Sequence, residues 1–167
     1  MDGDVRGFFI EGCAEMGIAL TQDATSRFET YLSLLQSWGR KINLTTRLEA
    51  KDVVIHHFLD SLSGVRFISA ESGARVIDLG AGAGLPSFPL KFALPLLRLT
   101  LIESVRKKVS FCQEVISHFQ LPGCVCPSGI WYGWASGQAT PWESWARPAA
   151  FFLCPIACPF CSSDPSA

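Results

Sequence analysis

Apolar residues recur at spacings of three and four along the first third of the chain. Phe28, Tyr31, Leu32, Leu35 and Trp38 form one such series, which predicts an amphipathic helix. Thr21 is placed to cap its start, with Asp23 in the first turn, and Gly39 to end it. Arg40 and Lys41 follow where a helix carboxyl end favours positive charge. Upstream, Phe8, Phe9, Cys13 and Met16 predict a shorter helix ended by Gly17. A third helix is expected from about Ala50 to Leu62, with Val53, Val54, His57, Phe58 and Leu62 on one broad face. Together these predict an N-terminal helical cap over residues 1–70.

The period then changes. Arg75-Val-Ile-Asp-Leu79 reads as a short buried strand, and Leu99-Thr-Leu-Ile-Glu103 as a second. Between them lie the turn Gly80-Ala-Gly82-Ala-Gly84 and a helix opened by Leu85-Pro86. Ser104 is placed to cap a helix running to about Phe119, with Val105, Val109, Cys112, Val115, Ile116 and Phe119 inward. Strands alternating with helices imply a parallel sheet with right-handed crossovers. The expected fold is α/β: the helical cap, then an incomplete Rossmann-like sheet over residues 71–121. Beyond Pro122 no segment has sustained periodicity, and residues 122–167 are expected to be an irregular tail.

Chemistry concentrates at the glycine turn. A nucleotide-like cofactor must approach the backbone at the carboxyl end of a parallel strand, where side chains would block it. Gly80, Gly82 and Gly84 meet that need. Glu103 lies 19 residues beyond Gly84, at the end of the second strand, where a carboxylate can accept both hydroxyls of an adenosine ribose. The dinucleotide fingerprint would want glycine at Leu85 or at Ser87 and finds it at neither. Asp78-x-Gly80-x-Gly82-x-Gly84 instead suits S-adenosyl-L-methionine, with Asp78 orienting the glycine loop and the methionine end.

Composition narrows the classes. An apolar fraction of 49% with 17% charged residues suits a soluble globular chain. The start, MDGDVRGFFIEG, has acids where a signal peptide needs bases. The greasy stretch from Phe88 to Ile102 is interrupted by Pro89, Lys91, Pro95 and Arg98, so no bilayer span is expected. Seven cysteines without a secretory context favour reduced thiols and a cytoplasmic location. With a net charge of −1, any nucleic-acid contact must use local patches. After Leu121 the only charged residues are Glu143, Arg147 and Asp164, which marks a boundary.

From about Met16 to Leu121 the chain resembles the bacterial RsmG/GidB proteins. The matching runs are Trp38 with Asn43-Leu44-Thr45, then His57-Phe-Leu-Asp60-Ser61-Leu62, then Asp78 through Leu85-Pro86, then Glu103-Ser104 with Lys107-Lys108. The resemblance implies S-adenosyl-L-methionine as cofactor and methylation of a guanine N7 in 16S ribosomal RNA. It also implies that Gly80 and Leu85 line the cofactor site and that Glu103 holds the ribose. The partner would be small-subunit ribosomal RNA or the 30S subunit, met by a monomer. Guanine N7 carries an in-plane lone pair and no proton, so the transfer needs orientation and electrostatic tuning but no general base. Ser87 stands where the family usually has glycine.

The resemblance stops near Leu121. The third strand, the acid near the adenine and the later arginine of the family have no counterpart; Trp131 and Tyr132 fall in that region, and Arg147 lies in an unrelated context. A chain lacking those strands is expected to be catalytically poor and prone to aggregate, or to be a non-catalytic relative that binds cofactor weakly or folds incompletely. His57 and Asp60, one helical turn apart, read either as a polar pair facing the cofactor cleft or as one fixing the cap to the core. Arg40, Lys41, Arg47, Lys51, Lys107 and Lys108 are candidate phosphate contacts or ordinary surface charge. Cys124-x-Cys126 and Cys154-x3-Cys158-x2-Cys161 can be written as a metal site, but Pro127, Pro155 and Pro159 argue against a regular zinc ribbon, and no metal is expected. Trp131, Trp134, Trp142 and Trp145 read as a hydrophobic tail rather than as stacking platforms.

Overall fold

A computed structural model describes residues 1–68, 73–127 and the strand at 150–153. Helix α1 spans Gly3–Glu15, with the Asp2 carboxylate accepting from the Val5 N–H at 2.9 Å. Helix α2 spans Gln22–Gly39, and the Thr21 hydroxyl accepts from the Ala24 N–H at 3.1 Å, as its N-cap position predicts. Phe9 and Cys13 of α1 and Phe28, Tyr31, Leu32 and Leu35 of α2 are buried. Phe8, beside the buried Phe9, is 41% exposed, because a helix turns it about 100° away from Phe9.

The third helical stretch is not uniform. It runs as α3 (Ala50–Val53), a π-helical turn (Val54–Leu59), α4 (Asp60–Ser63) and a 3-10 turn (Gly64–Phe67). The wider middle turn keeps Val53, Val54, Phe58 and Leu62 all buried, which a strict 3.6-residue period would spread over a broader arc.

Four parallel strands follow: β1 (Arg75–Leu79), β2 (Arg98–Ile102), β3 (Cys124–Val125) and β4 (Ala150–Leu153), in the order β3-β2-β1-β4. Helix α5 (Ser87–Ala93) connects β1 to β2, and α6 (Arg106–His118) connects β2 to β3. Both crossovers step in the same direction, so right-handed connections put α5 and α6 on one face. Val76, Leu99 and Cys124 form a register row in the buried core with Phe88, Leu90 and Val115.

Two short strands, β3 and β4, lie beyond Pro122 within the stretch expected to be irregular. β3 pairs Leu99 with Cys124, and β4 pairs Val76 with Phe151. The first is two residues long and the second reads Ala-Phe-Phe-Leu, the continuous apolar run of a parallel strand, so neither can display alternation. Lys91 secures the approach to β3. Its buried ammonium donates to the carbonyls of Pro95 (2.6 Å), Leu97 (2.6 Å) and Pro122 (2.8 Å), which uses all three of its protons.

Aromatic packing joins the helices to the sheet layer. The rings of Phe9, Phe28 and Phe58 lie 4.8–5.9 Å apart, and Tyr31 contacts Phe58, Phe88 and Phe92 at 5.7 Å each. Phe58→Ala is therefore expected to lower the unfolding free energy by about 3–5 kcal/mol. Urea denaturation followed by circular dichroism checks this, and a loss below about 1 kcal/mol would contradict so central a place for the ring.

Candidate functional site

The turn between β1 and α5 is built from glycines because its backbone requires them. Gly80, Gly82 and Gly84 all have positive φ, at 78°, 59° and 78°. Two of them differ in what surrounds them. A Cβ on Gly84 would lie 2.2 Å from the Phe88 ring, so this glycine lets α5 close onto the turn. A Cβ on Gly82 would meet nothing nearer than the Gly80 carbonyl at 3.7 Å, so the space beside Gly82 is open.

Four residues hold the turn. The Ile102 carbonyl at the end of β2 accepts from the N–H groups of Gly80 (2.8 Å) and Ala81 (3.1 Å). Just beyond it, Glu103 accepts from the Gly82 N–H through Oε2 at 2.8 Å and from the Val105 N–H through Oε1 at 2.8 Å. From α2, the buried Tyr31 hydroxyl donates to the Ala83 carbonyl at 2.7 Å. From α6, the Cys112 thiol approaches the Gly82 carbonyl at 3.5 Å. Ser104 does not take the capping role expected of it, and the start of α6 carries no side-chain cap. Val105 is the residue before α6, no side chain of its own caps it, and Ser104 turns its hydroxyl to Glu103 at 3.4 Å. Val105 consequently stands 46% exposed instead of packing inward.

Asp78 lies beneath the turn with no solvent exposure. Its Oδ2 accepts from the Ser87 hydroxyl at 2.6 Å, while Oδ1 has no hydrogen-bond partner. Burial raises its pKa to about 7, the Ser87 hydrogen bond opposes that rise, and the nearby Glu103 charge adds to it. Asp78 and Glu103 thus flank the same turn, one from inside the core and one from the strand end.

Of the residues singled out from the sequence, Asp78, Gly80, Gly82, Gly84, Leu85 and Glu103 come together at the carboxyl ends of β1 and β2. His57 does not pair with Asp60. Its Nε2 lies 2.9 Å from the Thr45 hydroxyl, its pKa is lowered chiefly by burial, and Asp60 points outward as an exposed residue. Arg40, Lys41, Arg47, Lys51 and Lys107 are exposed and Lys108 is half-buried. The ion pairs among the described residues are Arg6–Glu29 and Arg27–Asp23, so these cations have no carboxylate partner among the described residues. Tyr31 and Ser87 were legible only as a core residue and as a replaced glycine, and their hydroxyls carried no sequence signal of a role here.

Cys13, Cys112, Cys124 and Cys126 are buried free thiols, and among the described residues no cluster of three or more His, Cys, Asp or Glu is placed to hold a metal. The second cysteine group, the four tail tryptophans, Tyr132 and Arg147 lie outside the described residues. No described helix is long and apolar enough to cross a membrane. A cavity of about 400 Å³ opens elsewhere, lined by Arg75, Lys91, Arg98, Pro122 and Gly123. It sits at the amino ends of the strands, away from the carboxyl ends where parallel sheets bind ligands.

Comparison with known proteins places this geometry in context. Residues 24–126 match the family model GidB, described as rRNA small subunit methyltransferase G. A ribosomal RNA small subunit methyltransferase G from Thermoanaerobacter sp. (strain X514) is 44% identical over 108 residues, covering 65% of this chain and 45% of the relative. The protein of the same name from Alkaliphilus oremlandii (strain OhILAs) is 40% identical over 118 residues, or 71% of this chain and 49% of the relative. That from Bacillus subtilis (strain 168) is 37% identical over 113 residues, or 68% and 47%. The chain spans just under half the length of the curated relatives it matches.

The buried Asp78 has a measurable consequence. Its folded pKa, about 7, is raised above its ordinary value of 3.8, so between those pH values the folded state binds more protons than the unfolded state. Stability contributed by the neutral carboxyl is present below pH 4 and lost as pH rises through 7. Asp78→Asn removes the ionisation, and at pH 8 it is expected to raise the unfolding free energy by at most about 4 kcal/mol. At pH 4 the gain should vanish. Urea titrations across this range check it, and a variant less stable than the parent at pH 8 would contradict the assignment.

Proposed function

The chain belongs to the GidB family, rRNA small subunit methyltransferase G, and on that premise we propose that it carries the S-adenosyl-L-methionine-binding half of a methyltransferase for guanine N7 of 16S ribosomal RNA. The observation that supports this most is the open, positive-φ Gly82 beside Glu103 at the end of β2. The residues fit the cofactor. The space beside Gly82 admits a ligand against bare backbone. The two oxygens of Glu103 retain acceptor capacity beyond their N–H partners, which suits two ribose hydroxyls. Asp78 supplies a buried acceptor without a partner, which suits the cationic methionine end. Gly80 and Leu85 complete the lining, and Gly84 lets α5 close onto the turn.

When bound, S-adenosyl-L-methionine supplies a methyl group on a sulfonium, ready for in-line attack by a neutral nitrogen. The chain's own residues orient and exclude water. Tyr31, Ile102, Glu103 and Cys112 fix the turn before any ligand arrives, so little ordering remains to be done on binding. The cations Arg40, Lys41, Lys107 and Lys108, without a carboxylate partner among the described residues, supply candidate contacts to RNA phosphates, and His57 and Asp60 lie on the helical side of the same half. The chain acts as a cytoplasmic monomer on small-subunit ribosomal RNA or the 30S subunit.

A second reading rests on the chain spanning just under half of its relatives' length: a non-catalytic relative that binds cofactor without transferring methyl. Methyl transfer from labelled cofactor to unmodified 30S subunits, run beside a full-length relative, separates the two readings. Transfer by this chain alone is expected to be poor, because the site of a doubly wound sheet spans several strand ends.

Cofactor binding is tested at Gly82. Gly82→Val fills the open space, at a backbone cost of about 1–2 kcal/mol for the left-handed conformation. Calorimetry is expected to detect S-adenosyl-L-methionine binding to the parent and none to the folded variant. Equal affinity for the two would contradict this placement, and NAD binding without S-adenosyl-L-methionine binding would overturn the cofactor class.

A further inference from the structure

Asp78 is buried without a cation beside it among the described residues. The groups that face it from the elements packed around it are Tyr31 of α2, Ser87 of α5, Cys112 of α6, Cys126 just past β3 and Glu103 just past β2. None is positively charged, and Glu103 repels the ionised form. Neither of the two ion pairs among the described residues includes Asp78. A buried carboxylate is ordinarily paired or fully hydrogen-bonded. Here a single hydroxyl, from Ser87, supports one oxygen at 2.6 Å, and the other oxygen is left bare.

Ser87 is itself fully buried, and Asp78 Oδ2 is where its hydroxyl goes. It is the first residue of α5, directly after the cis Leu85-Pro86 step that ends the glycine turn. Its hydroxyl therefore ties the start of α5 to the middle of the β1 end, and it fixes the plane of the carboxylate. A glycine at this position would leave both oxygens of Asp78 without a side-chain donor.

We propose that Ser87 is a positioning residue of the cofactor site, which holds one carboxylate oxygen of Asp78 so that the other accepts from the ammonium group of an amino-acid-bearing nucleoside. This rests on the reading that the glycine turn and Glu103 bind such a nucleoside. The ligand's cation supplies the positive partner that the protein withholds. Ser87 acts through Asp78 and touches no reacting atom. Its hydrogen bond also favours the ionised carboxylate, which is the form that an ammonium group recognises.

The test uses the full chain and three nucleosides: S-adenosylmethionine, S-adenosylhomocysteine and 5′-methylthioadenosine, the last lacking the ammonium group. Ser87→Ala is expected to weaken the first two by about tenfold, the worth of one hydrogen bond to a charged group, and to leave the third unchanged. For the parent, affinity for S-adenosylmethionine should rise with pH up to about 7 and fall again as the ligand's own ammonium group deprotonates at about pH 8. In the variant that midpoint should move upward by about one pH unit. Ser87→Gly, which also removes the hydroxyl, serves as the second variant and should behave alike. In the absence of ligand, the loss of stability with rising pH should extend to higher pH in Ser87→Ala, and in an Asp78→Asn background the same change should move nothing. Equal weakening of all three nucleosides would reduce Ser87 to a packing role and overturn the proposal. Unchanged affinity and midpoint for S-adenosylmethionine would overturn it too, with the cofactor reading intact. If none of the three binds the parent chain, the cofactor reading itself fails.

Discussion

A carboxylate with no solvent exposure and one bare oxygen is the constraint around which this molecule is arranged. Asp78 occupies a β1 position that an aliphatic residue would fill at no electrostatic cost, on the same face as Val76. Its retention there works against folding above pH 4, since burial lifts its pKa to about 7. Groups of this kind concentrate where a ligand is handled. The surrounding residues fit that view: a hydroxyl on one side, a second carboxylate at the neighbouring strand end, and an open backbone turn above.

The turn itself is held from outside as well as from within. Tyr31 belongs to α2, fifty-two residues earlier in the chain, yet its hydroxyl closes on the Ala83 carbonyl while its ring packs on Phe58, Phe88 and Phe92. The N-terminal helices are thus part of what shapes the glycine turn, and the aromatic core transmits their position to it. Glu103 contributes from the other side by joining the turn to the start of α6. A ligand that engages Glu103 therefore meets a group already oriented by two backbone N–H donors, which lowers the ordering that binding requires.

Much of this was legible in the sequence because it rests on local periodicity and on residue types with few alternatives. The α2 face, the Thr21 cap, the first two strands, the glycine turn and the spacing to Glu103 all follow from such signals. What the sequence concealed depends on tertiary contact. The π turn at Val54–Leu59 looks like ordinary helix in a pattern of apolar residues. Ser104 has the chemistry of a cap, but its hydroxyl turns to the Glu103 carboxylate and α6 starts one residue later without a side-chain cap. His57 and Asp60 share helical spacing, but Thr45 takes the imidazole. Strands β3 and β4 are too short or too uniformly apolar to alternate, and only pairing with β2 and β1 defines them. The Ser87–Asp78 contact joins a helix start to a strand across nine residues, and a serine in place of a glycine gives no hint of it.

The central claim is that the carboxyl ends of β1 and β2 receive a nucleoside methyl donor. Its most direct test is a titration of unlabelled S-adenosyl-L-methionine into the ¹⁵N-labelled chain, followed by amide chemical shifts. Saturable shifts are expected at Gly80, Gly82, Gly84 and Val105, whose N–H groups belong to the turn and the Glu103 contact, with little change at Arg98 and Gly123 beside the opposite cavity. Shifts confined to Arg98 and Gly123, or no shifts at saturating ligand, would contradict it.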